Sequence, residues 1–403
     1  MHDVVVVGGG PAGCYTAALL GERGFDVHLL EEHPVIGEPV DCSGVVGAEA
    51  FATLGLSSSL KLGEIRNLTL VSPSELEVHF CPPSPLAYIV DRSAFDRSIA
   101  DKTSASGVTL HLGSRVVDLQ VQNGCVEVVF EEIVNGHGPT SSGPRSLVNS
   151  QKTVRTSVVI LAGGPRYKLQ RRLGMGKPSD FLRTAQAEVA VRGIKEAKVL
   201  MGSQVAPGSF AWIVPFRRGD GEFARIGVSA RISAVPYLKK LLQQLYCEGY
   251  LCFPDARIRS WTIPIAPLQR TFAGRALVVG DAAGQNKPTT GGGIYYGLLC
   301  AQAAARTAAA AFEKGDFSVE TMGRYEEEWR HQLGREIKVG SFFRRLAERL
   351  TDKEIDDLFR VVQSDGILSA VTSKARFDWH RDVIYFALRH PALGRIFLKG
   401  LFR

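Results

Sequence analysis

The chain opens on four consecutive apolar residues, Val4 to Val7, closed by Gly8-Gly9-Gly10. A short apolar run ending in a turn signal predicts a strand buried on both faces. An amphipathic run follows Pro11, and then Asp26-Val-His-Leu-Leu-Glu31 reads as a second strand, so the first thirty-odd residues predict a βαβ unit. Next comes a Pro/Gly-rich segment, His33 to Gly44, too irregular for core and expected to line something. Strand-like runs appear at 65–71, 75–80 and 87–90, and Asp91-Arg92-Ser93 starts a helix that ends before Gly107. Alternation over 115–121 and 125–131 predicts a meander. The polar Gly/Pro/Ser-rich stretch 136–152 predicts a mobile hairpin tip, and 157–164 another buried strand returning to the first sheet.

From about residue 185 to 261 several strand-like runs and one amphipathic helix, 237–245, predict an antiparallel second domain. After Pro267 the apolar run 276–279 ends in Gly280-Asp281, and a Pro/Gly loop opens an Ala-rich helix near Gly293. Beyond 318 the pattern is helical, and Thr351-Asp-Lys-Glu354 has the form of a capping box. At 403 residues the chain exceeds one typical core, so two intimately packed domains are expected. The expected division is an α/β, Rossmann-type domain assembled from 1–60, 86–180 and 262–317, an antiparallel β-rich domain from 61–85 and 181–261, and a C-terminal helical region, 318–403.

The net charge of +7, from 48 basic and 41 acidic residues, suggests an anionic partner. It does not suggest nucleic acid, because no basic run interleaves with aromatics. The strand starting at once leaves no room for a signal peptide, and no apolar stretch is long enough to span a bilayer, so the expected location is cytoplasmic. Seven scattered cysteines without a C-x-x-C pair argue against a disulfide framework and a structural zinc site. The last nineteen residues, from Tyr385, hold four basic and no acidic residues among Phe386, Leu388, Leu393, Ile396, Phe397, Leu398, Leu401 and Phe402. They read equally as a helix lying in a membrane interface, giving peripheral attachment, or as a packed terminal helix.

The glycines carry the chemistry. Gly8 suits the tight turn after the first strand, Gly10 the approach of backbone to a pyrophosphate, and Gly13 the packing of helix on strand. Eighteen residues after Gly13, Glu31 ends the second strand, where a carboxylate accepts hydrogen bonds from a ribose diol. Gly280-Asp281 and Gly291-Gly292-Gly293 form the other half of a dinucleotide site, with glycines letting amides approach an anion at a helix start.

With both halves together the chain resembles FAD-dependent proteins of the aromatic-hydroxylase structural class, and within it the geranylgeranyl reductase family. The features that carry the resemblance are Gly8 to Gly13, Glu31, Pro39-Val-Asp-Cys42-Ser-Gly44, Arg92 with Phe95-Asp96, Gly280-Asp281 and the helical tail. The resemblance implies a glutathione-reductase-like FAD-binding domain and an antiparallel substrate domain. It implies FAD contacts from Gly8, Gly10, Ala12, Gly13, Glu31, Cys42, Ser43, Val45, Arg92, Val116, Asp281, Gly291, Gly292, Gly293 and Ile294. Arg92 also reads as a helix-start ion pair with Asp96. Hydroxylases of the class usually carry His where Gly284 stands and Gly-Gln-Gly where this chain has Gly291-Gly-Gly293, and both departures favour the reductase. Phe210-Ala-Trp212-Ile-Val214-Pro215 is similar to the aromatic-x-Trp-x-Phe-Pro motif of polyprenyl reductases and also to a halogenase motif. It assigns Phe210, Trp212 and Pro215 to the substrate wall, with domain core as the other reading of Trp212.

The activity implied is saturation of C=C bonds in a polyprenyl chain, whether of geranylgeranyl diphosphate, a geranylgeranylated lipid or a quinone side chain, by hydride from reduced flavin and a proton. Cys42, on the irregular loop, is the candidate proton donor and otherwise reads as inert packing. The alternative is an FAD monooxygenase or halogenase of the same class. Ala162-Gly163-Gly164 departs from the Ala-Asp-Gly of many such flavoproteins, so the donor stays open among NADPH, NADH, ferredoxin and a quinol. Lys287, Arg217 and Arg218 are candidates to face a phosphate or solvent. No metal ligands are expected, and the sequence does not set the oligomeric state.

Overall fold

The computed structural model describes residues 1–122, 124–133, 151–253, 255–364 and 366–399. Five parallel strands form the heart of the first sheet, in the order Ala276–Val278, Gln151–Leu161, His2–Val7, Val27–Leu30, Thr109–His111. Val4, Val5 and Val6 are fully buried, as a strand covered on both faces requires. On one face pack the helices Pro11–Gly21, Arg92–Ala105 and Ile294–Lys314, whose small residues Ala17, Ala303, Ala304 and Ala308 allow close approach. An antiparallel hairpin, Ser114–Gln122 and Cys125–Glu132, continues onto the outer half of Gln151–Leu161, which is the expected meander. The hairpin tip expected at 136–152 lies outside the described residues apart from 151–152, which begin that long strand.

The second sheet has seven strands, in the order Arg259–Pro264, Phe181–Ala190, Gly221–Ala230, Phe210–Arg218, Ala197–Met201, Leu68–Val71, Glu77–Phe80. All pairings are antiparallel except that of Ala197–Met201 with Leu68–Val71. Its outer face is covered by the helix Val235–Cys247, with Leu238, Leu241, Leu242 and Leu245 set against Ala187, Ile213 and Val228. A third sheet joins Val45–Gly47, Ala87–Val90 and Lys61–Ile65. The run 65–71, expected as one strand, is therefore two. Arg66-Asn67 interrupts it, and the halves enter different sheets.

The tail is helical, with Val319–Ala347 followed by Asp352–Gln363, Ile367–Lys374, Arg381–Arg389 and Pro391–Lys399. Thr351 and Glu354 form the capping box. The basic and apolar end is two helices divided before Pro391. Leu393 and Phe397 are buried against Leu346 and Ile367, so the strongest apolar positions face the protein's own tail. Among the described residues no helix is long and apolar enough to cross a membrane.

Candidate functional site

A cavity of about 1210 Å³ runs between the two large sheets and the tail. This exceeds the 300–1,000 Å³ usual for one small-molecule site and leaves room for two ligands. Its polar half lies at the ends of the parallel strands. The helices Pro11–Gly21 and Ile294–Lys314 both start there, behind Gly10 and Gly293, and neither has a side-chain cap. By contrast Asp91, Ser318 and Thr351 cap their helices with side-chain oxygens. First-turn amides left without intrahelical partners suit an anion such as a pyrophosphate.

The glycines divide by role. A Cβ on Gly10, Gly163 or Gly164 would meet no other atom within 4 Å. A Cβ on Gly13 would collide with the Gly8 carbonyl, and one on Gly293 with Asn286 Oδ1. Gly8 has φ +105°, a conformation L side chains rarely adopt, and its Cβ would lie 2.5 Å from the Ala162 carbonyl oxygen. Gly284, at φ +69°, leaves no space for a side chain beneath the Ala266 carbonyl, so this backbone excludes a histidine there.

Glu31 lines the cavity, its Oε2 accepting from Gly9 N–H at 2.6 Å and its Oε1 from His33 N–H at 2.9 Å. Oε1 also faces the His33 ring nitrogen Nδ1 at 2.5 Å, so Oε2 is the oxygen that retains a lone pair for a diol. Asp281 is enclosed, and burial pushes its carboxyl above the usual carboxylate range against the opposing pull of Asn286 and Arg92. It forms no ion pair among the described residues, so a hydroxyl-rich ligand would add donors to the one that Asn286 supplies. Arg92 meets both of its sequence readings. It pairs with Asp96 at 2.7 Å and lines the cavity, where its guanidinium also reaches Cys42. Burial opposes its charge, but the Asp96 carboxylate beside it helps to hold its pKa above the ordinary value. Ala12, Ser43, Val45, Val116, Gly291, Gly292 and Ile294 line the same space.

The second half of the cavity is apolar, walled by Leu68, Leu70, Phe80, Leu86, Val199, Phe210, Trp212, Val214 and Val371. The two-residue strand period sends Phe210, Trp212 and Val214 inward, while Ala211 and Ile213 enter the core beneath the sheet. Pro215 falls on the other side of that alternation and lines a separate small pocket with Arg66 and Lys195. Reading the motif as a string put it on the substrate wall, and the pleat of the strand takes it off. Trp212 stands opposite Gly227 on the neighbouring strand, and a Cβ there would strike the indole, so the glycine makes the seat for the ring.

Cys42 lies where the halves meet, and the second sheet fixes its loop. Trp212 Nε1 donates to Gln186 Oε1 at 3.2 Å, and Gln186 Nε2 donates to the Cys42 carbonyl at 3.2 Å. The buried Arg225 donates to the Ser43 carbonyl at 2.7 Å and the Val90 carbonyl at 3.1 Å, with Glu188 as its counter-ion. Nothing local in the sequence marked Gln186 or Arg225.

The tail closes the cavity, which the sequence reading also missed. Phe377, Asp378 and His380 line it, and Lys287 forms a buried ion pair with Asp378 at 2.7 Å. Of the three basic candidates only Lys287 lines the cavity, because Arg217 and Arg218 lie toward solvent, facing Glu222 and Glu188. His380 Nε2 donates to the Phe377 carbonyl at 3.0 Å, so Nδ1 accepts from the Thr289 hydroxyl at 2.5 Å and the ring is neutral. Desolvation, and then Lys287, lowers its pKa from 6.5 to about 4. A folded-state pKa below the unfolded value means that the unfolded chain binds the proton first. This stabilisation is complete above pH 6.5 and is lost as pH falls toward 4. Urea midpoints measured between these limits should decline in wild type, with a shallower decline in His380→Gln.

Comparison with known proteins agrees with this geometry. Residues 6–42 match the model of an NAD(P)-binding Rossmann-like domain. The chain is 30% identical to digeranylgeranylglycerophospholipid reductase 2 of Methanothermobacter thermautotrophicus, over 91% of this chain and 93% of that one. Its fold matches a geranylgeranyl bacteriochlorophyll reductase-like protein of Thermoplasma acidophilum, with TM-score 0.82, 20% identity and 99% of each chain covered. It also matches p-nitrophenol 4-monooxygenase of Pseudomonas putida, with TM-score 0.69, 16% identity, and 93% and 97% covered. At such identities the two structures speak to the fold alone.

Proposed function

This chain belongs to the digeranylgeranylglycerophospholipid reductase family, and on that premise we propose that it uses FAD to saturate C=C bonds in the geranylgeranyl chains of a lipid. The observation that carries the reading is one cavity with two unlike halves, one cradled by glycines and helix starts, the other walled by apolar side chains. Gly8 to Gly13, Glu31, Arg92, Asp281 and Gly291 to Ile294 would hold the FAD. When bound and reduced it supplies a hydride to an alkene carbon. The chain's task is to seat the alkene in a dry channel and to protonate the other carbon.

Cys42 Sγ is the proton source in this reading. Giving up its proton leaves a thiolate beside the Arg92 guanidinium. Phe210 and Trp212 form the wall along which the chain lies, held in register with the thiol through Gln186. Arg376, exposed at the lining of the same half, is placed for an anionic headgroup.

The test follows flavin absorbance without oxygen. Protein reduced by dithionite, with excess reductant removed, should reoxidise when a geranylgeranyl lipid is added and stay reduced with its saturated analogue. Reoxidation that requires oxygen would instead favour the monooxygenase or halogenase reading. Trp212→Ala should raise KM for a full-length geranylgeranyl chain on the order of tenfold or more. A shorter prenyl chain should feel it less, and FAD content should not change.

A further inference from the structure

The starts of the first two parallel strands, whose far ends hold Gly8 and Glu31, carry a cluster that the reductase reading leaves unused. His2 begins the first strand, Asp26 directly precedes the second, and His28 is the second residue of that strand. His2 Nδ1 lies 2.7 Å from Asp26 Oδ2, and His28 Nε2 lies 3.3 Å from Asp26 Oδ1. One donor atom from each of the three lies within 4.8 Å of the other two, so a small inward turn of the side chains brings them to the spacing of at most about 4 Å that bonds of about 2 Å to one ion require. His28 turns its other nitrogen, Nδ1, to His111 Nε2 at 2.8 Å. Two imidazoles facing at that distance cannot both be charged. When His28 donates Nδ1–H to His111, its Nε2 lone pair points at the cluster. An outer partner that fixes the tautomer of a ligating histidine is the usual surrounding of a metal-bound imidazole. The Asp26 N–H donates to Asp3 Oδ2 at 2.9 Å, which holds the backbone of the central ligand.

We propose that His2, Asp26 and His28 bind one divalent transition-metal ion, with His111 orienting His28. Two imidazoles and a carboxylate suit zinc, cobalt or nickel and not magnesium or calcium, which prefer oxygen alone. Water completes the coordination, since the Asp26 side chain is 55% exposed and the site opens to solvent. The ligands come from two neighbouring strands, so the ion clips the start of the sheet and acts on stability, not on turnover.

The test uses FAD-loaded protein treated with chelator and desalted, then titrated calorimetrically with zinc chloride and, by visible absorption, with cobalt chloride. The expected result is one ion per chain, a melting temperature that rises with free zinc, a cobalt absorption band of low coordination number and no heat from magnesium chloride. Asp26→Asn and His28→Gln should weaken zinc on the order of 100-fold, and His111→Gln about tenfold, with FAD content and reductase turnover unchanged. Asp26 is exposed, so its variant folds whatever its effect on zinc. Absence of stoichiometric binding to wild type, or an Asp26→Asn variant that binds zinc as tightly as wild type, overturns the proposal.

Discussion

Gly13→Ala is expected to yield protein that is both less stable and colourless, whereas Gly10→Ala yields protein that folds normally and is colourless. At position 13 the added methyl meets the Gly8 carbonyl, and it lies 3.0 Å from the Ala162 Cβ. The carbonyl is backbone, so the helix Pro11–Gly21 must lift from the first strand. Overpacking of this kind costs at the upper end of about 1–3 kcal/mol. At position 10 the methyl meets nothing in the chain and projects into the cavity, so it costs the fold little. It occupies the path by which a pyrophosphate would approach the helix start. FAD affinity should then fall on the order of 100-fold, equivalent to about 3 kcal/mol. Apo-protein melting and bound flavin per chain separate the two effects. A Gly10→Ala protein that keeps its full complement of FAD would remove the pyrophosphate from this helix.

Arg225→Met tests how the second sheet holds the reactive loop. The side chain is 4% exposed and supplies hydrogen bonds to the carbonyls of Ser43 and Val90 and a charge to Glu188. Methionine keeps much of the volume and none of the donors, leaving two carbonyls without their partner. The expected loss of stability is roughly 3 kcal/mol, less than for a fully buried pair because Glu188 can turn to solvent. Turnover should fall further than the folded fraction, since Ser43 adjoins Cys42. Arg225→Lys, able to reach one carbonyl, should recover part of both. Full turnover in a destabilised Arg225→Met protein would show that the loop holds itself.

The parts of the site legible in the sequence are those whose cause is local. A strand, a turn glycine and a helix start follow one another along the chain, so Gly8 to Gly13, Glu31 and 276–294 are readable from pattern. Cys42 was noticed because its loop has no period and must therefore line something. Gln186, Arg225 and Asp378 escaped because their partners lie 144, 182 and 91 residues away. No local pattern encodes such a pairing. Pro215 was misplaced for a different reason, that a motif in a strand alternates between two faces. The apolar and basic end of the chain was read with its pattern right and its occupant open. The structure places Leu393 and Phe397 against the preceding helices, so those positions need no membrane to cover them.

In the proposed function the cavity's apolar half delivers an alkene to reduced flavin and not oxygen to a ring. The most direct measurement is the mass of a geranylgeranyl glycerophospholipid after anaerobic incubation with the dithionite-reduced, FAD-loaded protein. The expected products are heavier by two hydrogens for each bond saturated and are absent with Cys42→Ala. A lipid unchanged in mass without oxygen, and heavier by one oxygen atom when air and a nicotinamide donor are supplied, would contradict it.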